Sequence, residues 1–153
     1  MTYGNEKIKT WLRQLGQQQH DHFELDNSDK CFLHIDTDLT LIVCAPQASS
    51  KVFLTIELMR VPSISRESFF EKALQLNLFQ QETHGATLAI DDISNKVVVC
   101  YSHDISELSF TDFSNLLNNL ATVARKLLEK LEQTDFPHQQ WKQPTTFNLQ
   151  HRV

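Results

Sequence analysis

The chain has 153 residues, of which 41% are hydrophobic, and it contains only 3 glycines and 4 prolines. This composition predicts one folded domain, because disordered chains lack the aliphatic and aromatic residues that build a core. Aspartate and glutamate outnumber lysine and arginine by 19 to 14, which gives a net charge of −5. Since such a surface repels phosphate backbones, nucleic acid is not expected as a partner.

No run approaches the roughly 20 apolar residues that cross a bilayer. The opening residues Met1 to Lys7 also lack the apolar region of a signal peptide. These two observations predict a cytoplasmic protein without membrane insertion.

The three cysteines, Cys31, Cys44 and Cys100, are widely spaced and each lies in an apolar run. Their odd number and spacing predict neither a disulfide framework nor a zinc site. We expect small buried hydrophobic side chains. A reactive thiol is the alternative.

The first predicted helix runs from about Glu6 to Leu15, with Asn5 as its N-cap and Gly16 as its end. Its apolar residues recur at the spacing that lines one side of a helix, at Ile8, Trp11, Leu12 and Leu15.

Four short segments follow, separated by turn residues, and they predict strands of an antiparallel meander at 23–25, 31–36, 39–45 and 52–59. The fourth alternates between a core face and a half-polar face that still carries Phe53 and Met59. The run from Leu39 to Cys44 is apolar on both faces, which predicts a central strand covered on both sides.

Pro62 ends the fourth strand, and Ser65 is the predicted N-cap of a second, short helix. That helix is apolar on more than one side, which is wider than the stripe of a surface helix resting on one core. The apolar residues concerned are Phe69, Phe70, Ala73, Leu74, Leu76 and Leu78. The surplus face is therefore predicted to meet a partner.

Two further strands at 86–91 and 96–102 are predicted to form a hairpin through the turn residues 92–95. The third and longest helix opens with the capping box Ser109-x-x-Asp112 and is predicted to pack on the sheet. The segment from Thr134 is polar and contains two prolines. We expect a domain at 1–133 and a flexible tail at 134–153 whose exceptions are Phe136, Trp141 and Phe147.

These elements predict an α+β fold in which an antiparallel sheet is flanked by three helices, in the order helix, three or four strands, helix, two strands, helix. This order in an acidic chain resembles the class I chaperones of type III secretion, typified by the Tir chaperone, over about Glu6 to Leu131. The most specific part is the Leu-rich helix end Ala73 to Phe79, which contains Asn77, followed by the segment Gly85 to Asp91 that begins with glycine and ends in an acid.

The resemblance implies a homodimer in the cytoplasm of a Gram-negative bacterium. It would bind the N-terminal segment of one or more effectors in extended form and keep them soluble for export, with the export ATPase as a further candidate partner. No catalytic residue, metal or cofactor is implied. Assigned by element, the candidate effector-binding residues are Trp11, Leu12, Leu15, Phe23, Leu25, Phe32 and Ile35. The candidate dimer residues are Phe69, Phe70, Leu74, Leu78, Phe79 and Leu88.

Other interpretations remain open at this point. The stripe of the first helix fits a helix that covers its own core as well as one that contacts cargo. A metal site at His20-x-His22, or around His34 and His103, lacks a dense ligand signature, so surface histidines are the better account. The common nucleophile, phosphate-binding and metalloprotease motifs are absent. A regulator-binding protein of the same fold, an unrelated α/β interaction module and, least favoured, a thiol enzyme are the functional alternatives.

Overall fold

A computed structural model of the chain describes residues 3–35 and 38–133. Its elements, in chain order, are α1 (Tyr3–Gln19), β1 (Lys30–Ile35), β2 (Leu39–Cys44), β3 (Lys51–Arg60), α2 (Arg66–Leu76), β4 (Thr87–Asp91), β5 (Lys96–Asp104) and α3 (Phe110–Glu132). Single 3₁₀ turns lie at Leu78–Gln80 and Ile105–Glu107. The predicted tail at 134–153, with its three aromatic residues, lies outside the described residues.

The five strands form one antiparallel sheet in the order β1-β2-β3-β5-β4. The predicted fold class, an antiparallel sheet flanked by three helices, is confirmed. β3 is the central strand, and β1 and β4 are the two edges. No helix among the described residues is both long and apolar enough to cross a membrane.

One face of the sheet and all three helices share a single core. Leu41, Leu54 and Ile56 on the inner face of the sheet are almost fully buried. They pack in one cluster with Leu12 of α1 and Phe113 of α3. Burying a side chain of this size typically contributes about 1.5–3 kcal/mol. This cluster therefore holds the helices on one face of the sheet.

The opposite, outer face of the sheet is only partly covered. Along β2, Leu39, Leu41 and Val43 are buried, whereas the alternate residues Thr40 and Ile42 are half-buried. The prediction that this strand is covered on both sides is therefore wrong. Its outer side chains are partly shielded by their neighbours in the sheet, while the core cluster contains only residues of its inner face.

The first helix is longer than predicted, because neither of the residues predicted to end it does so. Asn5 lies inside α1, where its buried side-chain amide donates to the Ala45 carbonyl. Gly16 does not end the helix. It lets the following chain turn back over α1, since a Cβ there would lie 2.7 Å from the Asp21 carbonyl oxygen.

The predicted strand at 23–25 is also wrong, because this segment joins no strand of the sheet. The Asp26 N–H donates to the Lys30 carbonyl (2.8 Å), and this contact closes a turn immediately before β1. Phe23 and Leu25 instead pack, half-buried, against the core.

The other two predicted N-caps have different outcomes. Ser65 has a left-handed backbone (φ 58°) and makes no side-chain hydrogen bond, so it is not a side-chain cap for α2. At α3 the capping box is confirmed. The Ser109 hydroxyl accepts from the Asp112 N–H (3.1 Å), and the Asp112 carboxylate accepts from the Ser109 N–H (2.9 Å).

Candidate binding surfaces

The main chain of β1 is partly unpaired at the edge of the sheet. At Lys30 this edge is already used, because both its N–H and its carbonyl bond to Asp26. Since the hydrogen-bonding groups of alternate residues point to the same side of a strand, those of Phe32 and His34 also point outward. Within the described residues, neither position has a main-chain partner on that side. We call Phe32 and His34 the β1 edge.

Beside the β1 edge, the outer face of the sheet carries an apolar surface. Phe32 is 53% exposed and stands opposite Ile42, and Phe53 is 40% exposed and stands opposite Cys44. Large exposed apolar side chains that lie together mark interaction sites more often than scattered ones do. We call this surface the outer patch, made of Phe32, Ile42, Cys44, Phe53, Thr55 and Cys100.

The inner side of the β1 edge has a second group of apolar side chains. Three of the predicted effector-binding residues are half-buried here and rest against the core: Phe23, Leu25 and Ile35. Trp11 is also half-buried, but it lies against α3. The Trp11 ring lies 5.5 Å from that of Phe113, which fixes its position on the inside of the sheet.

Two other predicted effector-binding residues are core residues. Leu12 is fully buried and Leu15 nearly so, both within the main cluster. Neither offers a surface to a partner in this structure. The spacing of apolar residues along α1 could not by itself distinguish these fully buried residues from the half-buried Trp11.

The other edge of the sheet, β4, is partly occupied by a side chain. The Asn77 amide donates to the Leu88 carbonyl (2.9 Å), and its oxygen accepts from the Leu88 N–H (2.7 Å). Gln80 adds a bond from its Nε2 to the Thr87 hydroxyl (3.0 Å). The residue that follows α2 thus takes the place that a neighbouring strand would have at Leu88, the second residue of β4.

An exposed apolar surface lies next to this contact. Leu74 is 69% exposed and Phe79 is 72% exposed, and Leu78 and Ile90 are also exposed. Phe79 has a left-handed backbone (φ 57°), which a residue with a large side chain adopts rarely. We call Leu74, Leu78, Phe79 and Ile90 the α2 patch.

The remaining predicted dimer residues are less accessible. Phe69 and Leu88 belong to the core cluster. Phe70 is half-buried beneath the guanidinium of Arg66, whose central carbon is 5.3 Å from the ring centre. Ile90 was not among the predicted residues. It belongs to the inner series of β4, and only the position of the strand at the sheet edge leaves it exposed.

The cysteines lie among apolar side chains and not in an electropositive site. Burial is the main cause that raises the pKa of the Cys31, Cys44 and Cys100 thiols, so each favours its neutral form. In the described ranges, no three His, Cys, Asp or Glu residues are grouped to hold a metal ion. The chemistry that the surfaces offer is apolar contact and main-chain hydrogen bonding.

The fold with these surfaces is that of the type III secretion chaperones. Residues 8–128 match the Tir chaperone protein (CesT) family, and the chain therefore belongs to that family. The family match confirms both the resemblance and the predicted function of a type III secretion chaperone with effector partners. No curated protein sequence matches the chain.

Solved structures of low sequence identity share the fold. In the HopA1–SchA chaperone–effector complex, the similar chain is 20% identical at a TM-score of 0.66, with 84% of this chain and 98% of that chain covered. In the ExsC–ExsE complex, the similar chain is 16% identical at a TM-score of 0.75, with 86% of this chain and 97% of that chain covered. In the ExoU–SpcU complex from the type III secretion system of Pseudomonas aeruginosa, the similar chain is 23% identical at a TM-score of 0.59. The match covers 83% of this chain and 99% of that chain.

Proposed function

We propose that this chaperone binds an extended segment from the N-terminal part of an effector by adding it as a strand to the β1 edge. The observation that carries the proposal is the difference between the two edges of the sheet. At β1 two outward positions, Phe32 and His34, lack main-chain partners among the described residues, whereas at β4 Asn77 occupies Leu88 and only Ile90 stays open. An extended peptide that adds to an open edge gains main-chain hydrogen bonds whatever its sequence.

Apolar surfaces on both sides of β1 support the same site. Alternate side chains of an added strand point to opposite faces of the sheet. One set would meet the outer patch near Phe32, and the other would approach Phe23 and Leu25. Each Å² of apolar surface removed from water contributes about 25 cal/mol, which must offset the cost of ordering the segment.

We further propose that the chaperone is a cytoplasmic homodimer formed through the α2 patch. A twofold interface uses the same surface on both copies, so it must be self-complementary. The α2 patch contains no charged residue, and two copies would not repel each other through its members. Because Asn77 occupies the outward main-chain groups of Leu88 in β4, the two copies would meet by side-chain packing and not by joining their sheets. The proposal assigns no reaction to the protein.

The test begins with the tagged chain expressed in a host under conditions that induce secretion. Co-purified proteins are identified, and the segment of each that is protected from protease is mapped. A protected N-terminal segment of an exported protein is the expected result. A partner that is never exported would contradict the proposal and favour the regulatory role.

A pair of variants then tests the edge with the protected segment as a synthetic peptide. His34→Pro removes one outward N–H without breaking a bond between β1 and β2, and proline is tolerated on edge strands. We expect the affinity to fall about two- to twelvefold, since a main-chain hydrogen bond contributes about 0.5–1.5 kcal/mol net. His34→Ala removes the side chain, keeps the N–H and should bind as the parent does. Equal affinities of the two variants in calorimetry would place the segment elsewhere.

A further inference from the structure

The connection between α2 and β4 contains two consecutive residues with a left-handed backbone. Phe79 has a φ of 57° and Gln80 a φ of 52°. Glycine adopts this conformation without strain and asparagine tolerates it, whereas a residue with a large side chain is strained there. Asn77 lies just before the pair, but its own backbone is right-handed, with a φ of −76°. The asparagine therefore does not relieve the strain, and the phenylalanine carries it.

Contacts with β4 hold this conformation from both sides. Before the pair, the Asn77 side chain bonds to both main-chain groups of Leu88, at 2.9 and 2.7 Å. After it, the Gln80 side chain donates to the Thr87 hydroxyl and the Gln80 carbonyl accepts from the Gly85 N–H, both at 3.0 Å. Only two residues separate Asn77 from Gln80, so the chain turns sharply between these contacts. A strained backbone persists where its surroundings fix it in this way.

The strained conformation leaves the side chain of Phe79 largely accessible. Folding normally gains free energy when an aromatic ring is buried, yet Phe79 is 72% exposed in the single chain. Burial within one chain therefore does not account for the strain at this residue. Strained residues cluster at binding sites, where the surrounding structure keeps a side chain in place for its partner.

We propose that Asn77 and Gln80 form a rigid support that presents Phe79, as the anchor of the α2 patch, to a second copy of the chain. This inference rests on the proposed dimer. Buried aromatic anchors carry much of the binding energy of an interface. A residue already fixed in its bound position also loses less conformational entropy on association. Phe79 contacts the partner, and Asn77 acts through Phe79 as a positioning residue.

The strain can be measured by a pair of substitutions at Phe79. Alanine is more stable than glycine at an ordinary backbone position, and the order is reversed at a left-handed one. Phe79→Gly and Phe79→Ala both remove the ring, so the comparison isolates the backbone. We expect the higher urea midpoint for Phe79→Gly, measured at concentrations where each variant is a single copy. Leu78→Gly and Leu78→Ala, at the neighbouring position without a left-handed backbone, should show the opposite order. The same order at both positions would overturn the proposal.

The anchor is tested by the dissociation constant of the dimer in sedimentation equilibrium. We expect Phe79→Ala to raise this constant about thirtyfold or more, as truncation of a hot-spot residue does. Phe32→Ala removes an exposed ring from the other edge of the sheet and should leave the constant unchanged. An unchanged constant for Phe79→Ala would overturn the anchor and leave the dimer standing. A parent chain that is monomeric throughout would refute the dimer itself and the anchor with it.

The positioning role of Asn77 is tested by a double-mutant cycle. Asn77→Ala removes both bonds to Leu88 and should raise the dissociation constant several-fold in the parent chain. In the Phe79→Ala background it should cause no further rise, because the ring through which Asn77 acts is gone. The urea midpoint of the single copy should fall in both backgrounds, since Leu88 loses its partners in both. An equal rise of the dissociation constant in the two backgrounds would show that Asn77 only supports β4, and would overturn its positioning role.

Discussion

Single polar side chains connect the helices to the sheet at both ends of the fold. Asn5 reaches from α1 to the Ala45 carbonyl, and Asn77 holds both hydrogen-bonding groups of Leu88. The sequence marked Asn5 as a helix cap and Asn77 only as part of a family resemblance. Their partners are 40 and 11 residues away in the chain, so no local pattern reveals these contacts.

Asn77→Ala is predicted to lower the free energy of unfolding by about 1–3 kcal/mol, because it leaves a part-buried N–H and carbonyl of Leu88 without partners. Gln75→Ala is the control. Gln75 is exposed on the same helix, and its replacement should change stability by less than about 0.5 kcal/mol. Urea unfolding with an unchanged m-value measures both. If Asn77→Ala is as stable as Gln75→Ala, Asn77 does not hold β4.

At the scale of elements, hydrophobic periodicity predicted three helices and the five strands that form the sheet, because alternation and helical spacing are local properties. The strand predicted at 23–25 was wrong, since three residues carry too little pattern to distinguish a strand from an apolar loop. For the candidate binding residues, the sequence could not predict how exposed each side chain is. Trp11 and Leu12 are neighbours on one helix, and only the position of α1 against the sheet makes one half-buried and the other fully buried.

At the start of α3, the capping box predicted from the sequence is present in the structure. Its contribution to the stability of the fold depends on pH. Hydrogen bonds from Ser109 lower the pKa of Asp112 in the folded state. A lowered pKa means that the carboxylate stabilises the fold above the unfolded-state pKa, which is about 3.9, and that this contribution is lost as the pH falls through the folded-state value.

Ser109→Ala is therefore predicted to cost about 1 kcal/mol at neutral pH, and the difference from the parent should narrow in acid as Asp112 becomes protonated. Thr122→Ala removes a hydroxyl from the middle of α3, where it bonds to the Asn118 carbonyl of the same helix. It should be neutral or slightly stabilising because alanine is the better helix former. Unfolding curves at neutral and acidic pH decide between these outcomes, and a difference independent of pH would rule out the role of Asp112.

At the scale of the whole molecule, the exposed apolar surfaces lie at opposite edges of one sheet. The β1 edge and outer patch belong to the first strands, and the α2 patch lies beside β4 at the other end of the strand order. This separation allows one edge to bind an effector while the other meets a second copy. It also makes the two surfaces independent under mutation, because changes more than about 7–10 Å apart with no shared partner usually act additively.

The dimer proposal is tested by Leu74→Asp. Leu74 is largely exposed in the single chain, so the change should leave the fold intact, whereas a charge buried without a partner in an interface costs several kcal/mol. Phe69→Asp would be uninformative, because Phe69 is part of the core. We expect light scattering to give a dimer mass for the parent and a monomer mass for Leu74→Asp.

Phe32→Asp is the matched control at the other edge, and it should remain dimeric while losing affinity for the effector segment. A monomeric parent would refute the dimer. A Leu74→Asp variant that stays dimeric would move the interface away from the α2 patch and leave the β1 edge proposal standing, because its binding experiment needs only one copy of the sheet.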